Sequence, residues 1–310
     1  MGAALPSLEN FYGREEELAQ TRKLLHQYPC LAIIGAEGIG KRALVAKFLC
    51  EDDLPFDQAI WKPLHHCPKA AEVEAELLGL VGEPKETSIV AALRGKKLLI
   101  VLESLDSVIP DERSRKLDDQ YSSLIRRIIE ETDAKLIVIA AEPIEQLKTQ
   151  VLRGKAAMFT LRGLKLREAR GIVGSDLGGH LEKVWQAVGG NPLMLRQIAN
   201  WAENYAQGLD PHIANRATVY RGLFEDLYEQ TFRAARLSTI HRELLIIIAA
   251  KEEGFPFSEL LSTYPDSALD IQRLLEMGLI EKTAHSEGPL IQIYEFFRHY
   301  LVGKQASLLA

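Results

Sequence analysis

Seven consecutive residues, Gly35-Ala36-Glu37-Gly38-Ile39-Gly40-Lys41, follow the spacing G-x-x-x-x-G-K, and the chemistry of that spacing is phosphate binding. Glycines allow successive backbone N–H groups to turn toward one anion. A helix starting at once afterwards adds its positive end, and the lysine contributes a point charge. The next position ordinarily carries Ser or Thr, whose hydroxyl binds Mg²⁺, but here it is Arg42. Further along, the apolar run Lys96 to Leu102 ends in Glu103, followed by Ser104, Leu105 and Asp106. An acid at the carboxyl end of such a strand is the usual partner of a phosphate-bound Mg²⁺ or of its water, so Glu103 and Asp106 are the candidate catalytic groups. His65-His66-Cys67 has no second ligand cluster at a zinc-like spacing, and no metal site is expected from it. Phosphate binding is therefore expected, whereas the set for Mg²⁺-dependent hydrolysis is incomplete.

The elements that must position these groups are legible around them. Leu31 to Ile34 is a buried strand, and Leu44, Val45 and Phe48 recur at helical spacing after the loop. Upstream, Glu15 to Glu17 suit the first turn of a helix reaching toward Pro29. Downstream, strands are expected at 58–61, 96–103, 136–140 and 159–161, with helices at about 69–80, 89–93 and 121–131. Alternating strands and helices of this kind make a mostly parallel sheet covered on both faces, with ligands at the carboxyl ends of the strands. Gly35–Lys41, Glu103 and Glu142 then share that end. From Leu164 the strand signals stop. Gly189 and Gly190 end one helix, Pro192 fits the first turn of the next, and Leu193, Leu195 and Ile198 supply its apolar side. Helices at 243–250, 257–261 and 270–277 precede strand-like segments at 278–281 and 290–294, the order of a winged helix. The expected organisation is a nucleotide-binding α/β domain over 1–161, a helical domain over 162–223 and a winged-helix domain over 224–310.

Bulk properties narrow the function classes. The 310 residues carry a formal net charge of −6 and a pI near 5.8, which supplies no global attraction to nucleic acid or an anionic membrane surface. No apolar run approaches the ~20 residues that span a bilayer. The N-terminus lacks a basic stretch followed by an apolar core, so no secretory signal is read there. Three cysteines, an odd and sparse set, fit a reducing cytoplasm.

Taken in order, FYGREEEL, GAEGIGK, LLIVLESLD, LIVIAAEP, GGNPLML and IQIYEFFRHYL resemble the core of the STAND signalling ATPases, specifically the NB-ARC type of bacterial multidomain regulators. The resemblance runs from Phe11 to about Val302. It implies an α/β P-loop domain with a parallel sheet, then a small helical domain and a winged-helix domain, holding ADP or ATP. It places Tyr12, Gly13 and Arg14 along the base, the loop Gly35–Lys41 with Arg42 along the phosphates, and Pro192 against the adenine.

The departures from the family pattern cluster. Arg42 replaces the Mg²⁺ hydroxyl and Glu103 the aspartate, while Glu142 stands where an arginine usually senses the γ-phosphate. Tyr294 takes the place of an ADP-contacting histidine. In intact members the positions of Arg42 and Glu103 face one metal ion, so the two side chains are expected within reach of each other. The resemblance thus implies a nucleotide-binding signalling module with weak or absent ATP hydrolysis, protein partners or self-association, and no nucleic acid or membrane. Two readings stand beside it: a pseudo-ATPase scaffold that needs no nucleotide, and a DNA-binding regulator using the winged helix. The absence of a Lys/Arg cluster near 257–277 weighs against the second.

Overall fold

The computed structural model describes residues 8, 11–51, 54–64, 66–110, 116–174, 181–204, 237–285, 288–294, 297–298, 300–302 and 304. Two compact units divide the chain. The first comprises Met1–Ile34 with Lys41–Leu161, and the second comprises Gly35–Gly40 with Arg162–Ala310.

The first unit is built on five strands, β1 (Cys30–Ile34), β2 (Gln58–Pro63), β3 (Leu98–Glu103), β4 (Lys135–Ala140) and β5 (Ala156–Thr160), all parallel in the order β2-β3-β4-β1-β5. The inner strands CLAII, LLIVLE and KLIVIA are apolar nearly throughout because helices cover both faces of the sheet. Helices α1 (Glu15–Gln27), α2 (Lys41–Leu49), α3 (Ala70–Leu80), α4 (Ile89–Leu93), α5 (Asp119–Glu131) and α6 (Glu145–Leu152) provide the covering layers. In α5, Tyr121, Leu124, Ile125, Ile128 and Ile129 fall on one buried face, and the Asp118 side chain caps its start by accepting from the Tyr121 N–H at 2.7 Å.

Two expectations for this unit need correction. The last strand begins at Ala156, three residues before the predicted 159–161, because Ala156 and Ala157 gain their strand conformation from pairing with Cys30 and Leu31 rather than from propensity. Helix α6 was not anticipated, since EQLKTQVL buries only Leu147 and Gln150 and leaves Leu152 on the surface.

In the second unit, α7 (Leu166–Val173), α8 (Leu181–Ala187) and α9 (Pro192–Asn204) are followed, among the described residues, by α10 (Thr239–Ala249), α11 (Phe257–Thr263) and α12 (Ala268–Glu276). A small antiparallel sheet orders β6 (Phe255–Pro256), β8 (Leu290–Gln292) and β7 (Glu281–Thr283). The strand predicted from Gly278 starts only at Glu281. Gly278 at φ 71° ends α12, donating to the Leu275 carbonyl while Leu279 donates to that of Leu274, so these amides are spent on the helix end. The two-residue β6 was not anticipated. The buried His241 joins α10 to α12, with Nδ1 at 2.6 Å from Ser238 Oγ and Nε2 at 3.0 Å from Asp270 Oδ1. The expected helical stretch over 205–223 and parts of the terminal IQIYEFFRHYL segment lie outside the described residues.

Candidate functional site

Lys41 and Arg42 open α2, directly after the glycine loop. The Lys41 side chain is buried at the helix start and Arg42 is exposed. Across the carboxyl ends of the strands, Glu103 is the last residue of β3, in register with Pro63 of β2 and Ile139 of β4. Arg42 and Glu103 meet: Nε lies 2.7 Å from Oε1, with the arginine side chain 56% and the glutamate side chain 6% exposed. The second carboxylate oxygen, Oε2, accepts the indole N–H of Trp61 at 2.7 Å in a buried hydrogen bond. Trp61 pairs with Val101 in the β2–β3 ladder, and strand alternation puts Val101 and Glu103 on one face. The tryptophan is therefore the diagonal cross-strand neighbour of the glutamate.

Asp106, the other candidate catalytic acid, lies in a short 3₁₀ turn, Leu105–Val108, entered through Ser104 at φ 58°. Its Oδ1 accepts from the Ala141 N–H at 3.1 Å, tying the end of β3 to the end of β4. Glu142, next in the chain, is fully buried. Asp106 thus ties two strand ends together. A divalent metal does not fit this set: one carboxylate oxygen of Glu103 faces a cation, the other a donor, and a guanidinium occupies the hydroxyl's sequence position. Among the described residues no group of three or more His, Cys, Asp or Glu side chains could hold a metal ion.

At the other expected flank, Gly13 and Arg14 both take left-handed backbone conformations, φ 66° and 74°, and turn the chain into α1. Arg14 is buried and its Nη1 binds Glu17 Oε1 at 2.7 Å, while Tyr12 is partly exposed.

The glycine loop itself belongs to the second unit. Gly38 and Gly40 hold φ values of 75° and 99°, where side chains are strained. Asn191, just before α9, donates through Nδ2 to the Glu37 carbonyl at 2.9 Å, and the Leu193 N–H reaches the Gly38 carbonyl at 3.3 Å. Its Oδ1 accepts from the N–H groups of Leu193 and Met194, at 3.1 and 3.3 Å, capping the helix. A Cβ on Gly38 would come within 2.9 Å of Asn191 Oδ1 and 3.0 Å of Leu193 Cβ, so only glycine permits this approach. Because the trans peptide is planar, a Glu37 carbonyl bound to Asn191 sends the Gly38 N–H to the opposite side. The loop is thereby held in a form that fits a phosphate: carbonyls taken on one side, an amide directed to the other.

Pro192 starts α9, and its Cγ lies 3.9 Å from where a Gly40 Cβ would stand. The preceding turn is also fixed. Gly189 donates to Gln186 and Gly190 to Trp185, and Leu164 donates to Gly190. The Tyr294 ring lies so close to Gly189 that a Cβ there would meet it at 2.5 Å. Burial, then the Glu281 carboxylate to which the Tyr294 hydroxyl is hydrogen bonded, raise the phenol's pKa, with Arg162 acting the other way. A cavity of about 710 Å³ in this unit is lined by Arg162, Trp185, Gly189, Glu281 and Tyr294, among others.

Two of these functional groups were not foreseen. Trp61 reads in sequence only as a buried strand residue, and its partner depends on strand register. Asn191 was legible as part of a turn, but not as the anchor of a loop 154 positions away.

No protein-family model matches the chain. It is 24% identical over 339 aligned residues to an uncharacterized WD repeat-containing protein of Nostoc sp. (strain PCC 7120 / SAG 25.82 / UTEX 2576), a match covering 96% of this chain. The chain spans only 27% of that protein's length. Among solved structures it is similar to a Walker-type ATPase of Pyrococcus abyssi, with a TM-score of 0.62, 14% identity, and 95% and 97% of the two chains covered. A STAND protein with a tetratricopeptide repeat sensor from Pyrococcus horikoshii aligns with a TM-score of 0.49 and 17% identity, covering 99% of this chain and 45% of that one. The five-stranded parallel sheet and its helices are the α/β fold of P-loop ATPases.

Proposed function

We propose, taking the fold of a P-loop ATPase as the premise, that this chain is an adenine-nucleotide-binding regulatory module of the STAND type with weak or absent ATP hydrolysis. The observation that carries the reading is the loop Gly35–Gly40. Its glycines keep left-handed conformations, Asn191 and Leu193 hold two of its carbonyls, and Lys41 follows at the head of a helix. That arrangement binds ADP or ATP through backbone amides, a helix N-terminus and one ammonium group. Tyr12, Gly13, Arg14 and Pro192 are assigned to the base on the family resemblance alone.

Hydrolysis is a different demand. A loose phosphoryl-transfer transition state is stabilised by positive charge and a placed water. Here the strand-end acids are tied up, Glu103 by Arg42 and Trp61, Asp106 by the Ala141 amide. Glu142 adds an acid where the family pattern has a cation. The chain's own groups therefore bind and orient a phosphate chain without activating a water against it.

Residues 162–223 and 224–310 are read as the helical and winged-helix domains of such a module. A protein partner or a second copy fits better than nucleic acid as its target. In α12, the helix of the winged-helix order that would enter a groove, Arg273 is buried while Asp270 and Glu276 sit nearer the surface. The relative with WD repeats, of which this chain matches about a quarter, supports a core that works beside a repeat sensor. The occupied Glu103 also favours a second reading, a scaffold that functions without nucleotide.

Calorimetric titration of nucleotide-stripped protein with ADP and ATP separates the two. Binding that Lys41→Ala weakens by roughly tenfold or more, through a lost charge-assisted contact of about 1.5–3 kcal/mol, supports the module. No binding by the wild type promotes the scaffold. Steady phosphate release near ~1 s⁻¹ that Lys41→Ala abolishes would overturn the expectation of weak turnover.

A further inference from the structure

Arg42, Glu103 and Trp61 form one hydrogen-bonded and charged group, and its geometry goes beyond a lost metal ligand. Glu103 is nearly fully buried at a strand end, where an isolated carboxylate would be costly. Both its oxygens are served, Oε1 by the Arg42 guanidinium and Oε2 by the Trp61 indole. The guanidinium meets the acid through Nε, and the side chain remains more than half exposed. Arg42 is the second residue of α2, on the first turn of the helix that follows the glycine loop. A residue that had only drifted to arginine would have no reason to fold back onto a buried acid, because an exposed pair contributes little. Here the acid is buried and its second oxygen is fixed by a neighbouring strand, so the pair is held from both ends.

We infer that the Arg42–Glu103–Trp61 group takes over the metal's position, making this a nucleotide site that binds the phosphate chain without a divalent cation. The inference rests on the nucleotide-binding reading above. Trp61 fixes Glu103, Glu103 fixes the Nε end of Arg42, and the two terminal nitrogens supply a planar pair of donors suited to a phosphate's oxygens. An ammonium in place of Arg42 would be a point charge that could not serve both the acid and the phosphate in this way. A further consequence follows from charge. Mg²⁺ in solution competes for the nucleotide rather than helping it bind, and it does so more for ATP, with its additional phosphate charge, than for ADP. Under a cell's Mg²⁺ the site accordingly favours the diphosphate.

The test is titration of the full chain with ADP and with ATP, each in EDTA and in excess Mg²⁺. For the wild type, affinity in EDTA equals or exceeds that in Mg²⁺, and the loss on adding Mg²⁺ is larger for ATP. In Arg42→Thr/Glu103→Asp, which restores a hydroxyl and the shorter acid, binding becomes stronger in Mg²⁺ than in EDTA by roughly tenfold, the scale of one coordinated contact. Arg42→Ala weakens ADP binding in EDTA by a similar factor, and Arg42→Lys does not restore it. Wild-type affinity that falls tenfold or more on chelation, or Arg42→Ala that binds as wild type does in EDTA, overturns the inference while leaving nucleotide binding intact. No binding of either nucleotide in either buffer overturns both readings. Should the double variant fold poorly, the wild-type comparison and Arg42→Ala decide the matter by themselves.

Discussion

Replacing Asn191 by Ala removes three hydrogen bonds at one position. Two of them, from the Leu193 and Met194 N–H groups to Oδ1, cap helix α9, and losing such a cap costs about 1 kcal/mol within a range of roughly 0.5–2. The third, from Nδ2 to the Glu37 carbonyl, holds the glycine loop; its loss adds about 1 kcal/mol net, and more if water cannot reach the carbonyl. Asn191 is buried, so the upper part of both ranges applies and Asn191→Ala lowers stability by about 2–3 kcal/mol. Asn191→Asp divides the effect. The carboxylate keeps the cap, favoured further by the helix N-terminus, but turns an acceptor toward the Glu37 carbonyl in place of a donor. It should therefore cost less than Ala in stability and at least as much in ADP affinity, since only the loop contact is lost. Urea unfolding with matched slopes reads the first quantity and calorimetry the second. Asn191→Ala within about 0.5 kcal/mol of wild type, or Asn191→Asp binding ADP as tightly as wild type, would refute the assignment of Asn191 as the loop's anchor.

Gly38→Ala should be at least as disruptive to binding as Asn191→Asp, because its Cβ meets Asn191 Oδ1 at 2.9 Å on a backbone at φ 75°; affinity for ADP measured beside Asn191→Asp checks the order. Of the three thiols, Cys30 is fully buried and its pKa is pushed up to about 12 by desolvation, whereas Cys50 and Cys67 are exposed. A disulfide reagent at neutral pH should titrate two thiols in the native protein and three in urea; three in the native state would mean that β1 is accessible. The raised phenol pKa of Tyr294 means that the folded chain binds more protons than the unfolded one above the ordinary tyrosine value near 10, so this stability is present below about pH 10 and declines as pH rises past it. Thermal midpoints recorded from about pH 9 to 11 should fall less steeply in Tyr294→Phe, with Tyr121, buried and raised in the same direction, accounting for part of what remains.

Much of the molecule could be read before its structure was known, wherever local chemistry decides the outcome. The loop glycines, the buried runs CLAII, LLIVLE and KLIVIA, and the paired glycines before Pro192 each carry their own signal in residue type and period. The Arg42–Glu103 contact was expected because both residues depart from a common pattern at positions that face each other. What escaped is what pairing decides. Ala156 and Ala157 become strand through register with β1, Phe255 and Pro256 through β8, and Trp61 finds Glu103 only because β2 and β3 align Pro63 with that acid. Helix α6 escaped for the opposite reason: with two buried residues, its pattern is too thin to read.

The partnership of Glu37 with Asn191 has a consequence for how the chain is made. The two residues stand 154 positions apart, so the loop leaves the ribosome long before the residue that holds it. At roughly 5–20 residues per second, translation takes about 8–30 s to cover that distance. For that interval the growing chain carries the residues of β1 and α2 on either side of the loop but not the turn that orients its carbonyls. On the nucleotide-binding reading proposed above, affinity is therefore acquired late in synthesis, when the segment at 189–193 has emerged and folded. A chain cut short before it keeps the G-x-x-x-x-G-K sequence without the anchored loop.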